Sequence, residues 1–310
     1  MILVSGASGT VGVRLVRGLV GKGHQVRALV LPDDPFRSRL EDCGCEIVSG
    51  DITRAASLEN VFEGITTVYH LAAIILSNDP EVYSRVNVLG TRNMLAGARC
   101  AAVEHFIYVS SASVVYPQTT PYSRSKRECE RLVKTGQGLN YTIVRPTLVY
   151  EDQGGQEFVL FLDYLKKFPI VPFIGSGQAK KRPVHVDDLI DGLLKLAGCR
   201  QSYNQSYNLC GAEEISIIEL AHLMLRHNGM KKPFISIPVP LCKLIALGLR
   251  AIMKDPPLTL SAIAGITQDA SLDSSSAQRD LGYQPIGVRE GFKKCFPIES
   301  GTRRSTACVN

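Results

Sequence analysis

Apolar residues in this chain follow two rhythms. Short runs closed by glycine or polar turns read as buried strands, and longer stretches with apolar residues three and four apart read as helices facing a core. The runs fall at Ile2 to Val4, Gln25 to Val30, Glu46 to Ser49, Thr67 to Leu71, His105 to Ser110 and Tyr141 to Arg145, with helical stretches between them, among them Val11 to Val20 and Ser57 to Phe62. Strands alternating with helices predict an α/β fold built on a doubly wound parallel sheet. In such a sheet ligands bind beyond the carboxyl ends of the strands, where Gly6, Asp51, Ala72, Ser111 and Pro146 fall.

From about Glu151 the alternation gives way to loops at Gly154-Gly155 and Gly175-Ser-Gly177 around one helix, Glu157 to Lys167, followed by helices at Ile217 to His227 and Val239 to Met253. Residues 1–150 therefore read as a nucleotide-binding domain, to which strands from 178–210 can return. Residues 151–296 read mainly as a smaller C-terminal substrate-binding lobe, and 297–310 as a flexible tail. Pro238, Pro240, Lys243 and Arg250 interrupt the apolar stretch from Phe234 to Met253. They argue against a membrane span and for core packing or a substrate-covering helix, with an interfacial role as the remaining alternative.

The first strand runs straight into a glycine-punctuated helix start, Val4-Ser-Gly-Ala-Ser-Gly-Thr-Val-Gly12. Gly6 permits the tight turn, Gly9 lets backbone approach a diphosphate, and Gly12 lets the helix pack against the sheet. The free N–H groups and positive dipole end of that helix suit a pyrophosphate. An ordinary βα turn is the plain alternative, but the strand before, the helix after and a second strand beyond Gly23-His24 favour a dinucleotide site. The contacts expected for it are Gly6, Ser8, Gly9, Thr10, Val11 and Gly12; Asp51 and Ile52 after strand three; Leu71, Ala72 and Ala73 after strand four; and Pro146 after strand six. Asp51 is equally a cap for the next helix, and His70 reads as a packed strand residue. After strand two, Asp33 or Asp34 is placed to accept from a ribose and favour NAD, while Arg37 and Arg39 suit the extra phosphate of NADP. A solvated loop fits as well, so the choice between the two cofactors stays open.

Composition narrows the partners. The 310 residues carry 35 Lys and Arg against 29 Asp and Glu, a formal charge of +6 spread along the chain. That reads as a solvated surface rather than a nucleic-acid footprint. The nine cysteines, an odd count without metal-type pairing, read as reduced thiols, and no metal site is expected. With a strand starting at residue 2, a leader has no room ahead of the glycine turn, so a cytoplasmic protein with a small-molecule substrate and no firm membrane association is expected.

The chemistry is expected after strand five. Ser110-Ser-Ala-Ser113 closes that strand, and Pro121-Tyr-Ser-Arg-Ser-Lys126 opens a helix on which Tyr122 and Lys126, four apart, share a face. A neighbouring ammonium favours the phenolate and makes proton transfer feasible near neutrality. A hydroxyl from Ser111 would stabilise charge growing on a substrate oxygen. Ser113 is its stand-in, because the local register reads either way.

With these residues in order, the chain resembles an extended short-chain dehydrogenase/reductase of the NAD-dependent epimerase/dehydratase superfamily, whose nucleotide domain is a Rossmann fold. The resemblance rests on Gly6, Gly9 and Gly12; Asp51; His70-Leu-Ala-Ala73; Asn87 in Asn-Val-Leu-Gly-Thr91; Ser110-Ser111; Tyr122 with Lys126; Arg145-Pro146; His185-Val-Asp-Asp188; and Asp273, Ala277 and Leu281-Gly-Tyr283. It implies a catalytic tetrad. Tyr122 would be the general acid/base, Lys126 would hold the nicotinamide ribose and lower the tyrosine's pKa, Ser111 would bind the substrate oxygen, and Asn87 would hold a kink and a relay water. Dimers are frequent in the family, which suggests a homodimer here.

Two departures bear on the substrate. Tyr122 follows Ser111 by only 11 positions, where sugar-nucleotide epimerases carry a longer loop, and Arg145-Pro-Thr-Leu-Val-Tyr150 stands where they tend to have Tyr-Phe-Asn. The short loop leaves less wall for a substrate, and the Arg145 to Tyr150 form resembles dihydroflavonol-reductase and 3β-hydroxysteroid-dehydrogenase-like members. The expected function is an NAD(P)-dependent oxidoreductase acting on a carbonyl or secondary alcohol. A sugar-nucleotide epimerase or dehydratase is the alternative, and a non-catalytic sensor or assembly subunit comes third. Lys180, Lys181 and Arg182 form either an anion site or a solvated basic loop.

Overall fold

A computed structural model describes residues 1–295 apart from 78, 137, 152–155, 254, 255 and 257. Gly154-Gly155 and the tail at 297–310 thus lie outside the described residues. Six strands, β1 (Ile2–Ser5), β2 (Val26–Val30), β3 (Glu46–Ser49), β4 (Thr67–His70), β5 (His105–Val109) and β6 (Asn140–Pro146), fall within two residues of the runs read from the sequence. They join a seventh, Gln205–Leu209, in one parallel sheet ordered Gln205–Leu209, β6, β5, β4, β1, β2, β3. The order reverses between β1 and β4, which opens a crevice beyond their carboxyl ends.

Both faces of the sheet are covered, which is why its central strands are apolar without alternation. On one face the first helix, α1 (Thr10–Gly21), lies beside the Val186–Leu194 helix, with Leu15, Leu19, Leu189 and Leu193 in one core. A Cβ on Gly18 would stand 2.8 Å from the Leu194 side chain, so the two helices meet closely there. Leu209, Ala277, Leu281 and Tyr283 from late in the chain join the same core. On the other face the Gly90–Cys100 and Pro121–Lys134 helices bury Met94, Leu95, Cys129 and Val133 against Phe106 and Ile143.

The helix expected over Ser57 to Phe62 does not form. A 3₁₀ turn, Ala55–Leu58, and further turns replace it. Leu58, Val61 and Phe62 reach the core from this short path, and Gly64, at φ 70°, leads the chain on toward β4.

A separate core gathers Tyr150, Phe158, Phe173, Ile217, Leu220, Met224 and Phe292. Over it lie the Gln156–Lys167 and Ile217–His227 helices and a parallel ribbon of Val171–Ile174 with Phe234–Ile237. Ser216 caps the Ile217–His227 helix in a reciprocal arrangement with Glu219, which fixes its start.

Candidate functional site

The amino-terminal turn shows which glycines the protein itself requires. Gly6 has φ +70°, and a Cβ there would stand 2.8 Å from the backbone nitrogen of Ala72; on Gly12 it would stand 2.2 Å from the carbonyl oxygen of Gly6. Gly9 differs. A Cβ there would meet only the Gly6 carbonyl, at 3.4 Å, so no neighbour in the fold demands a glycine at that position. Gly9 and Thr10 are exposed at the start of α1, which has no side-chain cap and no acidic residue in its first turn. Val11 in that turn is half-buried. A helix end of this kind, with free N–H groups and room above them, fits an anionic phosphate group.

Ser8 turns away from the helix end and donates to Asp34 Oδ2 at 2.6 Å, while Asp34 Oδ1 accepts from Phe36 N at 2.8 Å. An acidic group following β2 is thereby fixed beside the glycine turn. Neither arginine of that loop joins it: Arg37 reaches Ser49 Oγ at 3.4 Å and Arg39 stacks over the Phe36 ring at 4.1 Å. Asp33 is exposed, with φ 58°. Asp51 is no helix cap. Its Oδ1 accepts from the backbone N and the hydroxyl of Thr53 at 2.9 and 2.8 Å, closing a turn beyond β3. Ile52 is buried, its carbonyl held by Asn93 at 2.8 Å.

The stretch after β4 ties this turn to the rest of the crevice. Leu71 N donates to Ser5 O at 3.2 Å, Ala72 lies against Gly6, and half-buried Ala73 leads to Ile74. Ile74 exchanges hydrogen bonds with the Asn87 side chain at 2.8 and 3.1 Å, and Asn87 Nδ2 also donates to Ser125 Oγ at 3.0 Å. Asn87 lies in a π-helical turn, Ser84–Leu89, of the kind often found at functional sites. His70 is a packed strand residue, as expected. Its ring pairs with Ser5 Oγ at 2.6 Å and Thr91 Oγ1 at 3.0 Å, and burial, with Lys126 nearby, lowers its pKa to about 3.

The Pro121–Lys134 helix begins at a capping box of Thr120 and Ser123, with Pro121 at its first position. That start puts Tyr122 in the first turn, half-buried, its ring 6.0 Å from that of Tyr83. Lys126, one turn on, is 2% exposed; its ammonium donates to Val109 O at 2.7 Å and stands 4.5 Å from the centre of the Tyr108 ring. Burial lowers its pKa to about 8, against an opposing pull from Cys129 and Glu130. Ser111 and Ser113 share a hydroxyl contact of 2.9 Å, and Ser111 Oγ accepts from Ser113 N at 3.2 Å, so both hydroxyls sit together at the end of β5. Pro146 ends β6 opposite Leu209.

Sequence reasoning missed Ser125, Tyr83 and Glu130. Glu130 accepts from Ser110 Oγ at 2.7 Å and pairs with Arg145 through two bonds of 2.8 and 2.6 Å, locking the ends of β5 and β6 to the helix. Its spacing of four from Lys126 was the available signal. In the basic run at 180–182 Lys180 is half-buried, and the other two side chains are tied to backbone carbonyls. Lys181 is buried and donates to Gly265 O at 2.7 Å and Gln268 O at 2.6 Å, and Arg182 donates to Leu272 O and Ala212 O. His185 caps the Val186–Leu194 helix, accepting from Asp187 N at 3.2 Å. Among the described residues no His, Cys, Asp or Glu group could hold a metal.

The family model for the NAD-dependent epimerase/dehydratase family matches residues 2–210. A 3β-hydroxysteroid dehydrogenase/Δ5→4-isomerase from Mycobacterium tuberculosis (strain CDC 1551 / Oshkosh) is 28% identical over 338 residues, covering 96% of this chain and 89% of the relative. A 4-hydroxy-2-methyl-3-oxo-4-farnesyl-3,4-dihydroquinoline-1-oxide ketoreductase from Stigmatella aurantiaca is 27% identical, covering 90% of each chain. In fold the chain is similar to a double mutant of the dTDP-glucose 4,6-dehydratase DesIV from Streptomyces venezuelae with NAD and DAU bound. The TM-score is 0.77 at 22% identity, covering 96% of this chain and 95% of the other.

Proposed function

Because the chain belongs to the NAD-dependent epimerase/dehydratase family, we propose that it is an NAD(P)-dependent oxidoreductase acting on a carbonyl or secondary alcohol of a small molecule, with Tyr122 as general acid/base. One observation carries this reading. The helix bearing Tyr122 and Lys126 is joined through Ser125, Asn87 and Ile74 to the stretch that presses on Gly6, so the phosphate cradle and the proton-transfer helix form one hydrogen-bonded unit. The turn from Gly6 to Gly12 holds the diphosphate, with Asp51, Ile52, Leu71, Ala72, Ala73 and Pro146 lining the crevice beyond it. The bound nicotinamide supplies or accepts the hydride.

In this reading Tyr122 gives or takes the proton on the substrate oxygen. Lys126, buried and cationic below about pH 8, favours the phenolate and holds the ribose. Ser111, backed by Ser113, donates to the same substrate oxygen, and Asn87 holds the π-turn beside them. Asp34, fixed by Ser8, accepts from the adenosine ribose and selects NAD, because a 2′-phosphate there would face a carboxylate. The lobe beyond Glu151 supplies the substrate wall.

The names of the relatives support a ketone or secondary alcohol. A sugar-nucleotide epimerase or dehydratase fits less well, since Lys181 and Arg182 are committed to backbone carbonyls rather than free for a diphosphate. NAD retained through purification would favour that second reading. The test of the first is Tyr122→Phe, assayed by cofactor oxidation against a panel of ketones and by dinucleotide titration. Turnover should fall by about 100-fold or more with cofactor affinity within about two-fold of the parent; unchanged turnover would overturn the role of Tyr122.

A further inference from the structure

The Val239–Ile252 helix carries its side chains the wrong way round for a helix that only completes a lobe. Its inward residues are small: Cys242 and Ala246 pack with Ile263 against Ile174, Ile237 and Leu258. Its large residues point outward. Leu241, Leu244, Ile245 and Ile252 fall at spacings of three, four and seven along one arc, with Gly248 among them and Leu247 at the border. Leu244 is 66% exposed and Ile252 80%, so most of this arc faces solvent. Ile235, Met253 and Leu260 extend the apolar surface on either side.

We propose that this face docks in the plane of a lipid surface bearing anionic headgroups. Charge selects that occupant over a second protein surface. Between Glu219 and Asp255 the sequence has six Lys or Arg and no acidic residue. Of these, Arg226, Lys231, Lys243 and Arg250 are exposed, whereas Lys232 is spent on the carbonyls of Leu165, Lys166 and Phe168. Lys243 and Arg250 lie seven apart, on the side of the helix away from the exposed leucines, the polar face that an interfacial helix fills with basic residues while its leucines enter the acyl boundary. The helix lies on the surface and does not cross it. Fourteen residues span about 21 Å against a hydrocarbon core of about 30 Å, and no described helix is long and apolar enough to cross a membrane. The proposal is independent of the catalytic reading.

The experiment is sedimentation of the full chain with vesicles of phosphatidylcholine alone and of phosphatidylcholine with phosphatidylglycerol, alongside light scattering for oligomeric state. The parent is expected to bind the anionic vesicles, more weakly as salt rises. Leu244→Glu/Ile252→Glu should reduce binding about ten-fold or more, and Lys243→Gln/Arg250→Gln should weaken it and flatten its salt dependence. Circular dichroism shows that the variants are folded, which these exposed positions favour. Absence of vesicle binding by the parent overturns the proposal, as does binding unaffected by Leu244→Glu/Ile252→Glu. A dimer in solution that this variant dissociates, without vesicle binding, assigns the face to a second copy and also overturns it.

Discussion

Replacing Lys126 by methionine separates what this residue costs the fold from what it does in the crevice. Burial lowers its pKa from 10.5 to about 8, a displacement worth about 3 kcal/mol at about 1.4 kcal/mol per pH unit. The sign follows from linkage. Between pH 8 and 10.5 the unfolded chain holds a proton that the folded one has released, so the penalty is full below pH 8 and fades as pH rises toward 10.5. Methionine fills a similar volume without charge and removes that penalty, but it leaves the Val109 carbonyl without its ammonium, at a cost of about 1–3 kcal/mol. The variant should therefore be more stable than the parent at pH 7 by about 1 kcal/mol, as the difference between these two effects. That difference should move by about 2 kcal/mol in the parent's favour by pH 9.5, where most of the penalty has gone. Urea unfolding of the cofactor-free proteins at several pH values measures it. Buried Lys181, also lowered to about 8, is present in both proteins and cancels. A stability difference that stays constant from pH 7 to 9.5 would refute the reasoning. Dinucleotide affinity should fall in the same variant, marking Lys126 as a residue retained at a cost to the fold.

Two other perturbations probe the nucleotide turn. Gly12→Ala should destabilise the protein by at least about 1–3 kcal/mol, because its Cβ would collide with the Gly6 carbonyl. Gly9→Ala should leave thermal unfolding nearly unchanged and weaken dinucleotide binding; equal losses of stability in the two variants would remove the distinction between them. Asp34→Asn should narrow the preference for NADH over NADPH about ten-fold or more in paired titrations, since a hydrogen bond to a charged acceptor contributes about 1.5–3 kcal/mol. An unchanged ratio would show that Asp34 does not contact the ribose.

Glycine spacing, buried strand runs and the Tyr122/Lys126 pair were all legible along the chain, because each is a local requirement. A strand buried on both faces has to be apolar, a turn with positive φ favours glycine, and two groups that act together on a helix have to stand about one turn apart. The failed helix over Ser57 to Phe62 marks the limit of such reading, because three apolar residues at helical spacing also fit a looser path when the core needs only their side chains. Folding alone decided which neighbours each group meets. It brought Asp34 and not Arg37 to the glycine turn, joined Asn87 to Ser125 across 38 positions, and tied Lys181 to carbonyls 84 and 87 residues away. It also turned the leucines of the Val239–Ile252 helix outward. Periodicity identifies the apolar arc of a helix, but which arc the fold covers depends on partners far along the chain.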